Sequence, residues 1–333
     1  LKAQEPSADV EVLDFFNYLY PGDARRIETA YLGLIRKAPA IWKLLYDGRL
    51  AQWAAKGLRK TTRRRLRPFR EVVSRFAPDA VICTQACPFL CLDEKMNAFQ
   101  LGVVTDFIPH RLWAGRQGGM YTVPTAHAAR RLSALGIRPE RIQSLGIPVQ
   151  VGASPGSGQS VQKPLEPRVL VMGGGYGLHL SLSTVKALDA SPVPFALQVV
   201  TGRNETLRAQ LESHRASFRH SVEVSGYVDD VPDRMRASSL VVTKPGGMTS
   251  AEALALRVPL VLLPPLPGQE TYNRDFLVKA GAAVPTSLDN VGKEVSRLLV
   301  CPNLMADMRD AAGRLGRPHA AMDAARLVLK SLS

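Results

Sequence analysis

The sequence lacks any apolar stretch long enough to cross a bilayer. Its longest apolar runs, such as VPLVLLPPLP, are short and broken by proline, against the roughly 20 consecutive apolar residues a spanning helix needs. Cysteine is scarce too, at four residues. Three of them, Cys83, Cys87 and Cys91, are separated by three-residue spacers, a pattern that does not match the paired ligand knuckles of a structural zinc site with partner ligands elsewhere. With Cys301 alone, the four read as buried, reduced thiols of a cytoplasmic protein. No signal-peptide pattern is visible, no Asp-x-Asp motif occurs, and the sequence calls for no catalytic ion or cofactor. Acidic residues are outnumbered, 29 against 43 basic ones, for a formal charge of +14.

What is present is an ordinary globular composition, 46% apolar over 333 residues, enough for roughly two domains. The positive excess concentrates between Lys56 and Arg75, where KGLRKTTRRRLRPFREVVSR holds nine basic residues and one acid, Glu71. No helix-turn-helix, zinc-finger or aromatic RNA-binding signature accompanies it, so nucleic acid is not the expected partner. An anionic membrane surface fits better: at roughly 1 kcal/mol per basic residue near anionic lipid, four or five engaged side chains give reversible docking. A solvated helix face is the plain alternative. Upstream, IWKLLYDGRLAQWAAKGL offers Trp42, Leu45, Tyr46 and Trp53 as interfacial anchors, or as one face of a core helix.

From Val10 to Val149 short strand patterns (VEVLDF, AVICT, LGVVTDF, MYTVPT, IQSLGIPV) alternate with helical ones, which argues for a parallel sheet. GASPGSGQSVQKPLEP, rich in Gly, Ser and Pro, reads as a linker. Strand, glycine loop and helix then begin afresh at RVLVMGGGYG, followed by FALQVV, SVEVSGYV, SSLVVT and VPLVLL. The expected organisation is therefore α/β, two doubly wound Rossmann-like domains at 1–150 and 167–333 joined by 151–166. Ligands of such sheets bind beyond the carboxyl ends of the strands. The loop containing Gly174 and Gly175 suits a diphosphate, but the next strand exit, LQVVTGRN, has no carboxylate for a dinucleotide's ribose, which argues against a dehydrogenase. In TKPGGMTSAEAL, Gly246 and Gly247 sit between a strand and a helix that holds Glu252 in its first turn. This reads either as a phosphate seat at a helix N-terminus or as a Thr249/Glu252 capping box that needs no ligand.

These segments resemble a known family. GRN at Gly202–Asn204, GYVDDVPDRMRASSLVVTKPGGMTSAEAL from Gly226, and PLPGQETYNRDFLVKAGAA from Pro265 are similar to the nucleotide-sugar glycosyltransferases that glycosylate diacylglycerol. These comprise the bacterial processive diacylglycerol glucosyltransferases and the plant monogalactosyldiacylglycerol synthases. VVTDFIPHRLW and GIPV resemble the same family's acceptor-domain motifs. The resemblance implies a GT-B fold, two domains facing a cleft, and inverting transfer of a hexose from a UDP-sugar to diacylglycerol on the cytoplasmic face of the membrane. It implies that Glu252 takes the ribose hydroxyls of uridine, and that Gln269 and Glu270 contact the sugar. Gly246, Gly247, Met248 and Thr249 would line the diphosphate, with Tyr227 and Val228 edging the uracil. Asp106 and His110 are the candidate bases, with a turn cap and a surface histidine as the plain readings. Trp113 is placed to shape the acceptor pocket, and Arg63, Arg64, Arg65 and Arg67 to meet anionic lipid. The family's first strand and its glycine loop with a histidine are expected to precede Leu1, since LKAQ reads as the tail of a helix. Two other readings stay open: the related N-acetylglucosaminyltransferase of peptidoglycan synthesis, with a polyprenyl-linked acceptor, and a nucleotide-sugar-binding subunit without activity of its own.

Overall fold

A computed structural model describes residues 1–19, 22, 33, 66–152, 166–175, 177 and 180–332. The described chain falls into two compact units, one made of 1–148, 266–269 and 319–333, the other of 149–265 and 270–318. This differs from the sequence-based boundary at the far end, because the last 15 residues pack with the first unit. Most of the expected 151–166 linker, together with Trp42, Leu45, Tyr46, Trp53, Arg63, Arg64 and Arg65, lies outside the described residues.

The first unit begins with α1 (Phe15–Leu19), so the expected strand VEVLDF does not form. Helix α2 (Arg67–Phe76) opens on a proline and ends on Ala77 in the left-handed region. Four parallel strands follow in the order β1 (Ala80–Cys83), β2 (Phe99–Val103), β3 (Met120–Val123), β4 (Ile142–Ser144). Helices α3 (Ala86–Cys91) and α4 (Ala126–Ala134) connect them. Thr125 caps α4 by accepting from the Ala128 amide at 3.1 Å, as N-cap threonines do. Phe89, Trp113 and Tyr121 fill this core with tilted and edge-on ring contacts. The buried Arg116 guanidinium donates to the carbonyls of Phe89 and Leu92 and to the Gln100 side chain. A charge so placed is costly unless bonded, and here it ties α3 to the rim of the sheet.

The second unit is a six-stranded parallel sheet in the order β10-β9-β8-β5-β6-β7. The strands are β5 (Arg168–Met172), β6 (Ala196–Val200), β7 (Val222–Ser225), β8 (Leu240–Thr243), β9 (Leu260–Leu262) and β10 (Ala283–Pro285). β10 was not expected. Helices α5 (Leu182–Asp189), α6 (Glu205–His214), α7 (Val231–Arg236), α8 (Gly247–Ala255), α9 (Gln269–Lys279), α10 (Val291–Leu299) and α11 (Pro302–Leu315) follow in turn, and α12 (Ala320–Lys330) returns to the first unit. Strands covered on both faces must be apolar throughout, and Leu240, Val241, Val242 and Leu260 to Leu262 are wholly buried. At roughly 25 cal/mol per Å² of apolar surface, this double-faced burial is the main stabilising term. The order reverses between β5 and β8, the topological switch point at which such sheets bind their ligands.

Candidate donor site at the switch point

The two loops beside the switch are shaped by close backbone approach. Gly177 and Gly202 have φ of +60° and +59°. A Cβ on Gly177 would meet the Thr201 carbonyl oxygen at 2.3 Å, and one on Gly202 the Gly175 carbonyl oxygen at 2.6 Å. The Arg203 amide donates to that Gly175 carbonyl at 2.9 Å. Glycine is thus required at both positions for packing and for the left-handed backbone. Gly174 and Gly175 lie at the tip of this interlocked pair, Gly175 exposed.

Across the switch, β8 leaves its last buried residue, Thr243, and enters Lys244-Pro245-Gly246. The Gly246 amide donates to the Lys244 carbonyl at 2.8 Å, and Asn273, wholly buried on α9, donates to the Pro245 carbonyl at 3.2 Å. Helix α8 starts at Gly247 with Gly246 as an N-cap that has no side-chain cap bond. The expected capping box therefore does not form. The glycines pull the helix start upstream, so Thr249 is the third helical residue and Glu252 lies in the second turn rather than the first. The amides of Gly247, Met248 and Thr249 have no partner within the helix, and with the helix dipole they present partial positive charge.

Glu252 is half-buried, and no hydrogen bond or ion pair to its side chain is found among the described residues. Burial pushes its carboxyl from 4.5 up to about 7. At the end of β8 and in the first turn of α8, the hydroxyls of Thr243 and Ser250 are buried without a partner among the described residues. Two buried, unbonded hydroxyls at one junction are uncommon in a folded interior, where most such groups are paired. Glu270 is different: the residue is buried and its carboxylate is paired with the Lys244 ammonium. On the neighbouring exits, Tyr227 is 59% exposed with the Arg203 guanidinium 5.5 Å from its ring centre, and Met248 is 45% exposed. Val228 is half-buried beside Tyr227.

In the first unit, Asp106 follows the β2 exit and accepts from the side-chain amide of Gln269. Two residues that the sequence singled out separately are therefore bonded to each other. His110 caps a 3-10 turn, Arg111–Gly115, and its Nδ1 accepts from the Leu112 amide at 3.2 Å. That bond leaves the ring proton on Nε2, so His110 is set to donate. Trp113 is 4% exposed within the core, so it offers no open face to an acceptor; its place in the sequence beside the other candidates reflected packing. Arg67 is exposed and pairs with Glu71 at 2.7 Å one turn along α2. All four thiols are reduced, and burial pushes Cys83 up to about 12 and Cys87 up as well. Among the described residues no helix is long and apolar enough to cross a membrane. Sequence reasoning missed Lys244 and Asn273; the i, i+3 spacing of Glu270 and Asn273, which puts both on one face of α9, was the available signal.

Two parallel α/β units of this kind are the GT-B architecture. The chain is similar in fold to the Staphylococcus aureus MnaA–UDP co-structure, with a TM-score of 0.60, 16% identity, and coverage of 79% of this chain and 78% of that one. It is likewise similar to Acinetobacter baumannii MurG, at 0.56, 16%, 78% and 77%. Residues 2–149 match the family described as monogalactosyldiacylglycerol (MGDG) synthase, and residues 168–299 the glycosyltransferase family 28 C-terminal domain. A Bacillus mycoides processive diacylglycerol beta-glucosyltransferase is 30% identical, over 96% of this chain and 84% of its own length. Its Bacillus cytotoxicus counterpart is 29% identical, over 98% and 87%. The chain belongs to this family of diacylglycerol glycosyltransferases.

Proposed function

We propose that the protein is an inverting glycosyltransferase that moves a hexose from a UDP-sugar to the free hydroxyl of diacylglycerol at a membrane surface. One observation carries the donor half of this reading: Glu252, a half-buried carboxyl beyond β8 at the switch point with no partner among the described residues. A carboxylate there accepts two hydroxyl hydrogen bonds, as the cis-diol of a ribose supplies, and such charge-assisted bonds are about twice as strong as neutral ones. The exposed Tyr227 ring is a surface for the base, with Val228 at its edge. The α8 amides from Gly247 to Thr249 and the tip at Gly174 and Gly175 receive the diphosphate.

In the transfer, the acceptor hydroxyl oxygen attacks the anomeric carbon while the bond from that carbon to the diphosphate oxygen breaks, and UDP departs with the electron pair. Asp106 takes the hydroxyl proton. Its bond from Gln269 orients the carboxylate, and His110, committed through Nδ1 to its cap, serves as a hydrogen-bond donor rather than the base. Helix N-terminal amides and a nearby cation answer the charge on the departing diphosphate.

Diacylglycerol does not leave the bilayer cheaply, since each buried CH₂ contributes about 0.8 kcal/mol to its retention. The enzyme therefore comes to the lipid, and the basic stretch from Lys56 to Arg75 supplies the attraction. Purified protein, labelled UDP-sugars and diacylglycerol vesicles with anionic lipid test the proposal, with products separated by thin-layer chromatography. A labelled glycolipid is expected. Binding of uridine nucleotide without any glycolipid would overturn the transferase reading in favour of a non-catalytic binding subunit.

A further inference from the structure

The chain crosses from β8 to α8 in three residues, and the backbone bonds of that crossing can be followed one by one. The Thr243 carbonyl accepts from the Leu263 amide at 2.9 Å, the Lys244 carbonyl from the Gly246 amide at 2.8 Å, and the Gly246 carbonyl from the Ser250 amide at 3.0 Å. The Lys244–Gly246 bond closes a γ-turn about Pro245, whose ring-fixed φ suits the inverse form. Pro245 is itself buried, and no backbone amide bonds its carbonyl among the described residues. A buried carbonyl must find a donor elsewhere. The side-chain amide of Asn273, wholly buried on α9, supplies it at 3.2 Å. Three residues earlier on the same face of α9, Glu270 pairs with Lys244, so one helix grips two successive residues of the crossing.

The peptide unit between Pro245 and Gly246 is therefore held at both ends, its carbonyl by Asn273 and its N–H by the Lys244 carbonyl. The sequence makes such a hold necessary. Gly246 and Gly247 follow directly, two adjacent glycines are the least restrained backbone on which a helix can open, and Gly246 has no side-chain cap bond to fix the first turn. The direction of the Gly247, Met248 and Thr249 amides then depends on that one peptide plane. We propose that Asn273 is the positioning residue of the diphosphate seat, pinning the Pro245–Gly246 peptide so that the opening amides of α8 keep one direction before and after the donor binds. This rests on the donor-site reading above and adds to it the residue that preorganises the seat. Amides fixed in advance stabilise the charge of a departing diphosphate without having to reorient during the reaction. Asn273 acts through the turn and touches no substrate.

Calorimetric titration of the purified chain with uridine and with UDP tests the proposal. Asn273→Leu removes the donor at similar size, and Asn273→Asp removes it while keeping the side chain's shape. Each is expected to weaken UDP about tenfold, as loss of one buried hydrogen bond does, and to leave uridine within about twofold, because only the diphosphate reads the direction of the α8 amides. Glu252, in the second turn of a helix packed along its buried face, is expected to keep its place. A merely structural Asn273 predicts a lower denaturant midpoint, with UDP and uridine either both unchanged or lost alike in the folded fraction, and either pattern would overturn the proposal. So would loss of UDP affinity in Asn273→Asp alone, which marks simple repulsion by the new charge. Should both variants fold poorly, amide hydrogen exchange in the wild type decides. The Gly246 amide is expected to exchange slowly with and without UDP, and those of Met248 and Thr249 to be slowed by UDP but not by uridine. A Gly246 amide that exchanges as freely as those two in the empty protein would show an unpinned turn and overturn the proposal. A wild-type chain that binds UDP no better than uridine would instead remove the diphosphate seat itself.

Discussion

The two rims of the second sheet treat a buried acid in opposite ways. At the amino-end rim Asp189, the last residue of α5 and 8% exposed, accepts from the Arg219 and His220 amides, each at 2.9 Å, and from His220 Nδ1 at 3.2 Å. His220 is itself fastened through Nε2 to the Val193 carbonyl at 3.0 Å and stacked on Phe195. At the carboxyl-end rim Glu252 sits half-buried with nothing bonded to it among the described residues. The first acid is satisfied by the fold; in the proposed function the second is satisfied by the ribose of the donor. Satisfied burial marks a structural fastening and unsatisfied burial marks a place held ready for a ligand.

The contrast can be broken by substitution. Asp189→Ala should show the largest effect, a loss of about 3 to 4 kcal/mol in denaturant melts, because it strands two amides and a histidine in the interior. It should leave nucleotide affinity within about twofold for the fraction that folds. Glu252→Gln should do the reverse, weakening uridine binding about tenfold to a hundredfold by titration, or about 1.4 to 2.7 kcal/mol, while the protein stays folded. If Asp189 and Glu252 variants lose stability alike, the distinction between the rims fails.

A pH series sharpens it. The folded Glu252 carboxyl titrates near 7, above its ordinary 4.5, so the folded state binds more protons between those values. Its own contribution to stability is present in full below about pH 4.5 and is lost as pH rises through about 7. Above pH 7 the Glu252→Gln variant should therefore exceed the wild type by up to about 2 kcal/mol, discounted for partial exposure. Uridine affinity should run the other way in the wild type, rising with pH and levelling above about 7, and should be flat in Glu252→Gln. The smallest effect is expected from Arg67→Gln, less than about 0.5 kcal/mol in stability since its pair with Glu71 is solvated, with a measurable drop in sedimentation with anionic vesicles.

Much of this was legible in the residues, for identifiable reasons. Runs such as RVLVM and SSLVVT declared their strands because double-faced burial demands continuous apolar residues. GAAVP did not, being a three-residue edge strand that ends in proline. VEVLDF misled because its alternation fits a strand while Phe15 in fact opens a helix. Thr249 and Glu252 have capping-box spacing, yet Gly246 and Gly247 let the helix begin three residues early, a choice made by backbone freedom that spacing does not encode. The Lys244–Glu270 and Asp106–Gln269 bonds span 26 and 163 positions. Partners so distant along the chain are set by topology, which is why Asp106 and Gln269 were each picked out but not as neighbours.

The final helix carries a practical warning for anyone dividing the protein. Val328 of α12 packs with Leu101 and Val103 on β2, so part of the first sheet's apolar surface is covered by a segment that follows the whole second sheet in the sequence. An amino-terminal fragment cut near residue 150 would emerge with that apolar strip bare and prone to self-association, and its failure to behave would say nothing about chemistry.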